Sequence, residues 1–341
     1  MAQVRVQEEV LAPAGVPVIV RRVRARGSNV AIGRALAELA IARYGLRPDA
    51  LLADVRYVRA RRTYFRRNYP IQLERMRGVA VALGLRLDDD RFDFSMLRTR
   101  PGESAADVLG AVATYVPPWA SEMGPGLLRR SARLPDAPSD KRDLYVMEWH
   151  PSGAAHPSIA LHAYDLLSGT LAGINKAGLV VAAVAAGGDP MSIEHQLGFA
   201  NAIGLHELQL MRFLLDTCTT VDDAQAALLG VREFTLITST RYLVADRNGR
   251  SFAYERGLTA QRILDGALEC QVIGSSGALS LAGIEAASTE APPAADDAAP
   301  VDAADQSDGW WDCVADQERR SLAVRFRDPA TGSVREVGAQ L

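Results

Sequence analysis

The sequence predicts an α+β protein whose first hundred residues are mostly helical and whose strands lie in the remainder. Three observations carry this prediction: apolar residues repeat at helical spacing between residues 29 and 83, apolar runs of strand type start at residue 144, and turn residues separate those runs. The chain has 341 residues, of which 48% are hydrophobic, and this is enough to form a large core.

The helical elements begin at Asn29. Apolar side chains recur at helical spacing as far as Tyr44, and Gly45 supplies a stop signal, so a helix over 29–44 is predicted. The arginine-rich stretch 56–67 continues in this style, and a further amphipathic helix is predicted from residue 70 to residue 83.

Turn residues join several of the predicted strands into hairpins. Runs typical of buried strands cover residues 144–149, 158–164, 170–174, 179–185, 241–245, 251–254, 271–273, 311–315 and 322–326. Two amphipathic helices, 201–215 and 224–229, interrupt the series, and Thr220 with Asp223 resembles a capping box before the second. Residues 286–308 are rich in Ala, Pro and Asp, so we expect a flexible loop there.

Composition excludes several classes of function. The formal net charge of −3 gives no field that would attract nucleic acid or a membrane surface. The cysteines Cys218, Cys270 and Cys313 are widely spaced, which indicates neither a disulfide framework nor a zinc site. We therefore expect a chain in a reducing cytoplasm that has no metal, no cofactor, no signal peptide and no membrane anchor.

One motif points to a family. Residues 110–118 read Gly-Ala-Val-Ala-Thr-Tyr-Val-Pro-Pro, which resembles the Gly-Cys-Ser-Ala-Val-Tyr-Tyr-Pro-Pro segment of penicillin acyltransferase-like hydrolases, with Ala111 in the position of the cysteine. Further segments in the same order resemble that family, namely residues 145–151, 169–179, 214–218 and 241–247. The family is that of acyl-CoA:6-aminopenicillanic acid acyltransferase, which belongs to the N-terminal-nucleophile (Ntn) hydrolases.

The resemblance implies an architecture and a chemistry. The implied fold is a four-layer αββα sandwich in residues 111–341, preceded by a helical propeptide-like region in residues 1–110. The implied chemistry needs a thiol or hydroxyl nucleophile whose own terminal amine acts as base, together with donors for the oxyanion. Ala111 can supply no nucleophile, and the nearest hydroxyls, Thr114 and Ser104, do not follow the glycine that precedes the cut.

The other positions implied by the resemblance are partly altered. Arg130 keeps the arginine of the family's Arg-Asn-x-Asp motif, whereas Arg133 stands where aspartate is expected. Asn175 matches the asparagine that supports the oxyanion, although a hairpin turn also favours asparagine. The later Thr-Asn-His segment falls on residues 273–276, which lack the amide side chain, and Arg241 replaces a histidine.

Four residues are further candidates for lining a pocket: Thr114, Glu148, Arg241 and Ser275. Glu148 lies inside an apolar strand, and burial there would raise the pKa of its carboxyl group. His150 and His162 also lie in or beside strand patterns, where a histidine is more often packed than catalytic.

These losses favour one function and leave two others open. The first hypothesis is an uncleaved pseudoenzyme that binds a small molecule or a partner protein, such as an active homologue or a second copy of itself. A laboratory cysteine-to-alanine change would explain Ala111 alone, whereas Arg133 and Gly274 indicate natural divergence. The second is an enzyme with cysteine-independent acyl transfer, cyclisation or condensation in a biosynthetic pathway. The third is a conventional acyltransferase whose nucleophile lies elsewhere, at Cys218 or Thr114.

Overall fold

The computed structural model describes residues 4–8, 18–98, 111–118, 126–133, 142–185, 203–234, 240–256, 261–265, 271–274, 310–327 and 333–341. The helices are α1 Asn29–Tyr44, α2 Val55–Asn68, α3 Pro70–Ala82, α4 Glu207–Thr217 and α5 Val221–Gly230, with a 3-10 helix at Pro48–Leu51. The strands of the first half are β1 Val4–Glu8, β2 Val18–Gly27, β3 Val112–Val116, β4 Leu127–Arg133, β5 Arg142–Pro151, β6 Ser158–His162 and β7 Thr170–Asn175. Those of the second half are β8 Val180–Ala185, β9 Thr240–Ala245, β10 Ser251–Arg256, β11 Gln261–Asp265, β12 Gln271–Gly274, β13 Trp310–Asp316, β14 Ser321–Arg327 and β15 Val334–Gln340.

The described strands form two sheets. The larger has the order β1-β2-β5-β6-β7-β8-β9-β10-β11, and the smaller has the order β12-β3-β4-β13-β14-β15. β3 and β4 of the smaller sheet pack against β8 of the larger, while β13 packs against β7. The predicted α+β class is confirmed, and the two sheets form the centre of a sandwich.

Three of the described helices pack on the larger sheet. α4 packs on β7 and β8, α5 packs on β9, and α1 packs on β2. All but one of the residues of α4 are buried, because it lies between the sheet and the N-terminal helices. A second helical layer, over the smaller sheet, stays a prediction.

The N-terminal region contributes two strands that the sequence analysis missed. β2 pairs in parallel with β5 over ten residues, from Val18 opposite Arg142 to Gly27 opposite Pro151, and β1 lies antiparallel on its other side. Residues 1–110 are therefore not only helical, because part of this region completes the core sheet. The division into a region 1–110 and a core 111–341 stays a prediction, and the loop 286–308 lies outside the described residues.

The predicted helices are close to the observed ones. α1 begins after Ser28, whose hydroxyl accepts a hydrogen bond from the Ala31 amide at 3.2 Å, and it ends before Gly45, which has a φ of 64°. The capping box of Thr220 and Asp223 is confirmed at the start of α5. α4 begins at Glu207 rather than at residue 201, because Leu205 makes a bridge to Glu233 and the chain is not helical there.

α1 and α3 cross at two glycines. A Cβ on Gly33 would lie 2.1 Å from the Arg75 carbonyl oxygen, and a Cβ on Gly78 would lie 2.0 Å from the Val30 carbonyl oxygen. The two backbones therefore approach more closely than any side chain would allow. In the part of the chain that the structure describes, no helix is both long and apolar enough to cross a membrane.

Candidate functional site

The strand register brings two of the altered positions and the retained arginine together. Ala111 directly precedes β3, in which Val112 lies opposite Ser131 of β4 on one side and opposite Gly274 of β12 on the other. Arg130 lies opposite Ala113, one step along the same pair of strands. The start of β3 is therefore the point at which the implied nucleophile position, the retained arginine and the 273–274 segment meet.

Arg130 lies in the interior of the sandwich. Its side chain is fully buried, its Nε donates to the Ala183 carbonyl of β8 at 2.9 Å, and its Cζ lies 5.3 Å from the centre of the Trp311 ring. Burial lowers the pKa of Arg130 to about 10, which still leaves the guanidinium charged at neutral pH. A cation is thus fixed between the two sheets, close in register to Ala111.

Thr114 does not face this interior. Ala113 and Tyr115 on either side of it are fully buried, and Ala113 shares a face of the sheet with Arg130, its direct partner. Because strand side chains alternate between faces, the half-buried Thr114 lies on the opposite face of the smaller sheet. Its hydroxyl is therefore no substitute nucleophile beside Ala111, and the expectation that it lines a pocket stays a prediction.

Two other predicted positions are only partly placed or not placed at all. The backbone of Arg133 ends β4, opposite Trp310 of β13, but its side chain is not described. Ser275 lies outside the described residues, directly after Gly274. Their roles at the site stay predictions.

Asn175 is held at the other end of the sandwich. Its Nδ2 donates to the carbonyls of Leu215 and Cys218 at 3.1 and 2.8 Å, and its Oδ1 accepts from the amides of Ala177 and Leu179 at 3.1 Å each. These four contacts close the β7–β8 turn and join it to the end of α4.

The same turn reaches the smaller sheet at a point remote from Ala111. Gln317 donates to the Gly178 carbonyl at 2.9 Å and accepts from the Tyr115 hydroxyl at 3.0 Å. Tyr115 lies near the end of β3, whereas Ala111 precedes its start. The structure therefore gives Asn175 a structural role and does not place it beside Ala111.

Glu148 is an anchor for β2 rather than a pocket acid. It accepts a hydrogen bond from the Nε of Arg24 at 2.6 Å and another from Arg22, and the Nε2 of His150 lies 3.7 Å away. Burial acts to raise the pKa of Glu148, but the hydrogen bonds from Arg24 and Arg22 outweigh it, so the pKa is lowered. The expectation of a raised pKa is therefore wrong.

Arg241 faces a carboxylate of its neighbouring strand. Its Nε lies 3.1 Å from Oε2 of Glu255, its direct partner on β10, and only 5% of the residue is exposed. In the register, Arg241 lies opposite Val184, next to the Ala183 whose carbonyl holds Arg130. It is thus close to the interior site along the backbone, with its charge engaged by Glu255.

The two described cysteines are unreactive by position. Cys218 is the C-cap of α4, and Cys313 lies opposite Arg130 on β13, fully buried. Burial raises the pKa of Cys218 to about 11 and that of Cys313 to about 12, so neither carries a thiolate at neutral pH. Cys270 lies outside the described residues. No group of three or more potential metal ligands occurs among the described residues.

Sequence reasoning missed a buried cluster of charges between α3, α4 and β5. Arg75 donates to both oxygens of Asp216 at 2.5 and 3.0 Å, and Nη2 of Arg212 lies 2.9 Å from Oδ1 of Asp216. All three are fully buried, the Tyr69 hydroxyl donates to the same carboxylate, and the Trp149 ring lies 4.6 Å from the Arg75 Cζ. The only sequence signal was an arginine and an aspartate four residues apart on an apolar helix.

The family comparison agrees with the segments that carried the resemblance. Residues 136–267 match the family model described as Acyl-coenzyme A:6-aminopenicillanic acid acyl-transferase. The matched segment runs from before β5 to the end of β11 and so includes most of the larger sheet, whereas it contains neither Ala111 nor Arg130. The predicted resemblance is confirmed over this segment, which covers less than half of the chain.

Solved structures give weaker likenesses. Penicillin V acylase from Agrobacterium tumefaciens is 16% identical, with 67% of this chain and 85% of that chain covered and a TM-score of 0.39. The mutant C2A conjugated bile acid hydrolase from Clostridium perfringens is 9% identical, with 67% and 92% covered and a TM-score of 0.41. The N-acylethanolamine-hydrolyzing acid amidase ortholog of Caenorhabditis elegans is 14% identical, with 48% and 69% covered and a TM-score of 0.37. No curated protein matches this chain.

Proposed function

We propose that this chain is a non-hydrolysing homologue of the acyl-transferase family that stays uncut and binds a small molecule between its two sheets. The observation that carries the proposal is the position of Ala111, a methyl side chain at the head of β3, beside the strand that holds the buried cation of Arg130. A methyl group offers no lone pair for attack on a carbonyl carbon, while a fixed cation still attracts a carboxylate or a polarised carbonyl.

Intact-protein mass spectrometry tests the first half of this proposal. We expect the freshly expressed wild type to give one species near 36.7 kDa. We expect Ala111→Cys to remain whole too, because Arg133 and Gly274 indicate that the surrounding machinery has diverged as well. Ala113→Cys is the matched control, since it places a thiol on the same strand directly opposite Arg130.

The outcomes separate clearly. A wild type already split near residue 110 would contradict the proposal, and the new N-terminus would name the true nucleophile. Cleavage of Ala111→Cys but not of Ala113→Cys would show that only the nucleophile is missing, which would contradict a wider loss. Both variants whole would leave ligand binding as the function to pursue.

A second candidate is an enzyme that works without a cysteine, by acyl transfer, cyclisation or condensation. Arg130 supports it, because a guanidinium fixed in an apolar interior can stabilise charge that develops on a bound carbonyl. Arg130→Gln tests it, with Arg241→Gln as a control whose charge is engaged by Glu255. If turnover of an identified substrate survived in Arg130→Gln, this placement of the site would be wrong.

The third reading, a misplaced nucleophile, gains no support from the described residues. Cys218 is buried with a raised pKa, and Thr114 lies on the other face of the smaller sheet.

A cytoplasmic location, and a partner that is an active homologue or a second copy of this chain, remain part of the proposal. Widely spaced cysteines, of which Cys218 and Cys313 are free thiols, support the location, and size-exclusion chromatography with light scattering tests the self-association.

A further inference from the structure

A groove lies on the outside of the molecule, between α2 and the connection that follows α5. It has a volume of about 380 Å³, and it is lined on one side by Thr63, Tyr64, Arg67 and Asn68 and on the other by Arg232. The volume is in the range of small-molecule sites, which starts at about 300 Å³. None of the residues that line the groove belongs to either sheet, and all are distant from Ala111 in the sequence. The groove is therefore independent of the proposed function.

Arginines that line the groove differ from most of their neighbours on α2 in whether a carboxylate faces them. Those that face the 88–93 turn are matched by carboxylates: Arg59 and Arg62 pair with Asp90, both at 2.5 Å, and Arg61 pairs with Asp93. Arg67 and Arg232, which line the groove, are exposed and face no carboxylate at ion-pair distance in the described part of the chain. The groove therefore carries two positive charges that no carboxylate of the described residues neutralises.

Tyr64 fixes the backbone of Arg232 beside α2. The Arg232 amide donates to the Tyr64 hydroxyl at 3.0 Å, and the Tyr64 hydroxyl lies 3.4 Å from the Arg232 carbonyl. That carbonyl also accepts from the Leu205 amide at 2.8 Å, which fixes the backbone of Arg232 from a second direction. Arg67 lies one turn after Tyr64 on the same face of α2, so the helix and the Tyr64 contact together place the two arginine backbones beside the groove.

We propose that this groove binds a small molecule that carries a phosphate group. Two guanidinium groups match the oxygens of a phosphate dianion, because each can donate two parallel N–H bonds to it. Because both backbones are fixed, binding needs to order only the two arginine side chains and not the segments that carry them. The ring of Tyr64 and the methyl group of Ala60 give the rest of the ligand an apolar wall.

A competing explanation is that these arginines only complement a helix end. α2 ends at Asn68, and cations in a last turn are favoured by the partial negative charge of the helix C-terminus. This explanation applies equally to Arg66, which is in the same turn, is exposed and has no ion pair with any described residue, but does not line the groove. Arg66 is therefore the matched control for Arg67.

The experiment is isothermal titration of the full chain at pH 7.5 and low salt with two probes, inorganic phosphate and phenyl phosphate. For the wild type we expect saturable binding of phenyl phosphate at one site. Arg67→Ala and Arg232→Ala are each expected to weaken binding at least about tenfold, whereas Arg66→Ala is expected to change it less than about twofold. All three side chains are exposed, and thermal melts will confirm that each variant is folded.

Each result decides the question. Equal affinity for both probes would identify the phosphate group alone as the ligand, and tighter binding of phenyl phosphate would identify a phosphate ester. No saturable binding of either probe would overturn the proposal. It would also be overturned if Arg66→Ala weakened binding as much as Arg67→Ala, because the attraction would then be general charge rather than a site. Neither result depends on whether Ala111 replaces a nucleophile.

Discussion

Asp216→Asn is the change whose cost the structure defines best. The carboxylate of Asp216 is fully buried and accepts two hydrogen bonds from the guanidinium of Arg75, at 2.5 and 3.0 Å. The guanidinium of Arg212 lies 2.9 Å from the same carboxylate. Removing its charge leaves two cations in the core with no anion between them. Breaking a buried ion pair by removal of one partner costs about 3–5 kcal/mol, and here the same removal affects two pairs. We therefore expect a loss of at least about 3 kcal/mol, or more than a hundredfold in the unfolding equilibrium.

Urea unfolding followed by tryptophan fluorescence is the assay. Trp149 is a local reporter, because the Cζ atoms of Arg75 and Arg212 lie 4.6 and 5.1 Å from its ring centre. Asp222→Asn is the control: Asp222 pairs with Arg250 at 2.6 Å, but both side chains are at least half exposed, so the midpoint should not move. A loss below about 1 kcal/mol for Asp216→Asn would refute the reasoning, since it would mean that the cluster is hydrated or its charges are otherwise balanced.

Three further predictions concern stability. Burial lowers the pKa of His162 and His206 well below 6.5, so each stays neutral when folded while the unfolded chain takes up protons. Stability should therefore fall as the pH drops below about 6.5, by about 1.4 kcal/mol per pH unit for each histidine, and His206→Phe should reduce that slope in urea titrations at several pH values. Gly33→Ala should destabilise the protein by about 1–3 kcal/mol or more despite alanine's better helix propensity, because its methyl group would meet the opposing helix backbone at 2.1 Å. Gly230→Ala is the control in the same thermal melts and should be neutral, because a Cβ there has nothing within 4 Å. Asn175→Ala should cost about 2–4 kcal/mol in urea unfolding, because four backbone groups lose their partner, and a cost near zero would restore a purely functional role for it.

The sequence predicted correctly those elements whose structure depends on residues close together in the chain. α1 runs from Asn29 to Tyr44 as predicted, because its cap, its apolar repeat and its glycine stop all lie within the segment itself. The β7–β8 hairpin is likewise confirmed, and the asparagine that turns it is Asn175.

Contacts between residues that are far apart in the chain could not be predicted from the sequence. β2 has the sequence Val-Ile-Val-Arg-Arg-Val-Arg-Ala-Arg-Gly, and nothing in it shows that its partner β5 lies more than a hundred residues away. Glu148 looked like an isolated acid in an apolar strand because the arginines that neutralise it come from β2. Arg75 and Asp216, 141 residues apart, show the same limit.

The parallel pairing of β2 with β5 also has a consequence for how this protein is made. On the ribosome, β2 leaves the exit tunnel long before β5, so its hydrogen-bonding edge must wait without its partner while more than a hundred residues are added. Conversely, a shortened gene product that began at Asn29 would leave the edge of β5 bare, with Val146 and Trp149 on a strand that is ready to pair with another chain. Expression trials that trim the first 28 residues should therefore yield inclusion bodies rather than a smaller version of the same protein.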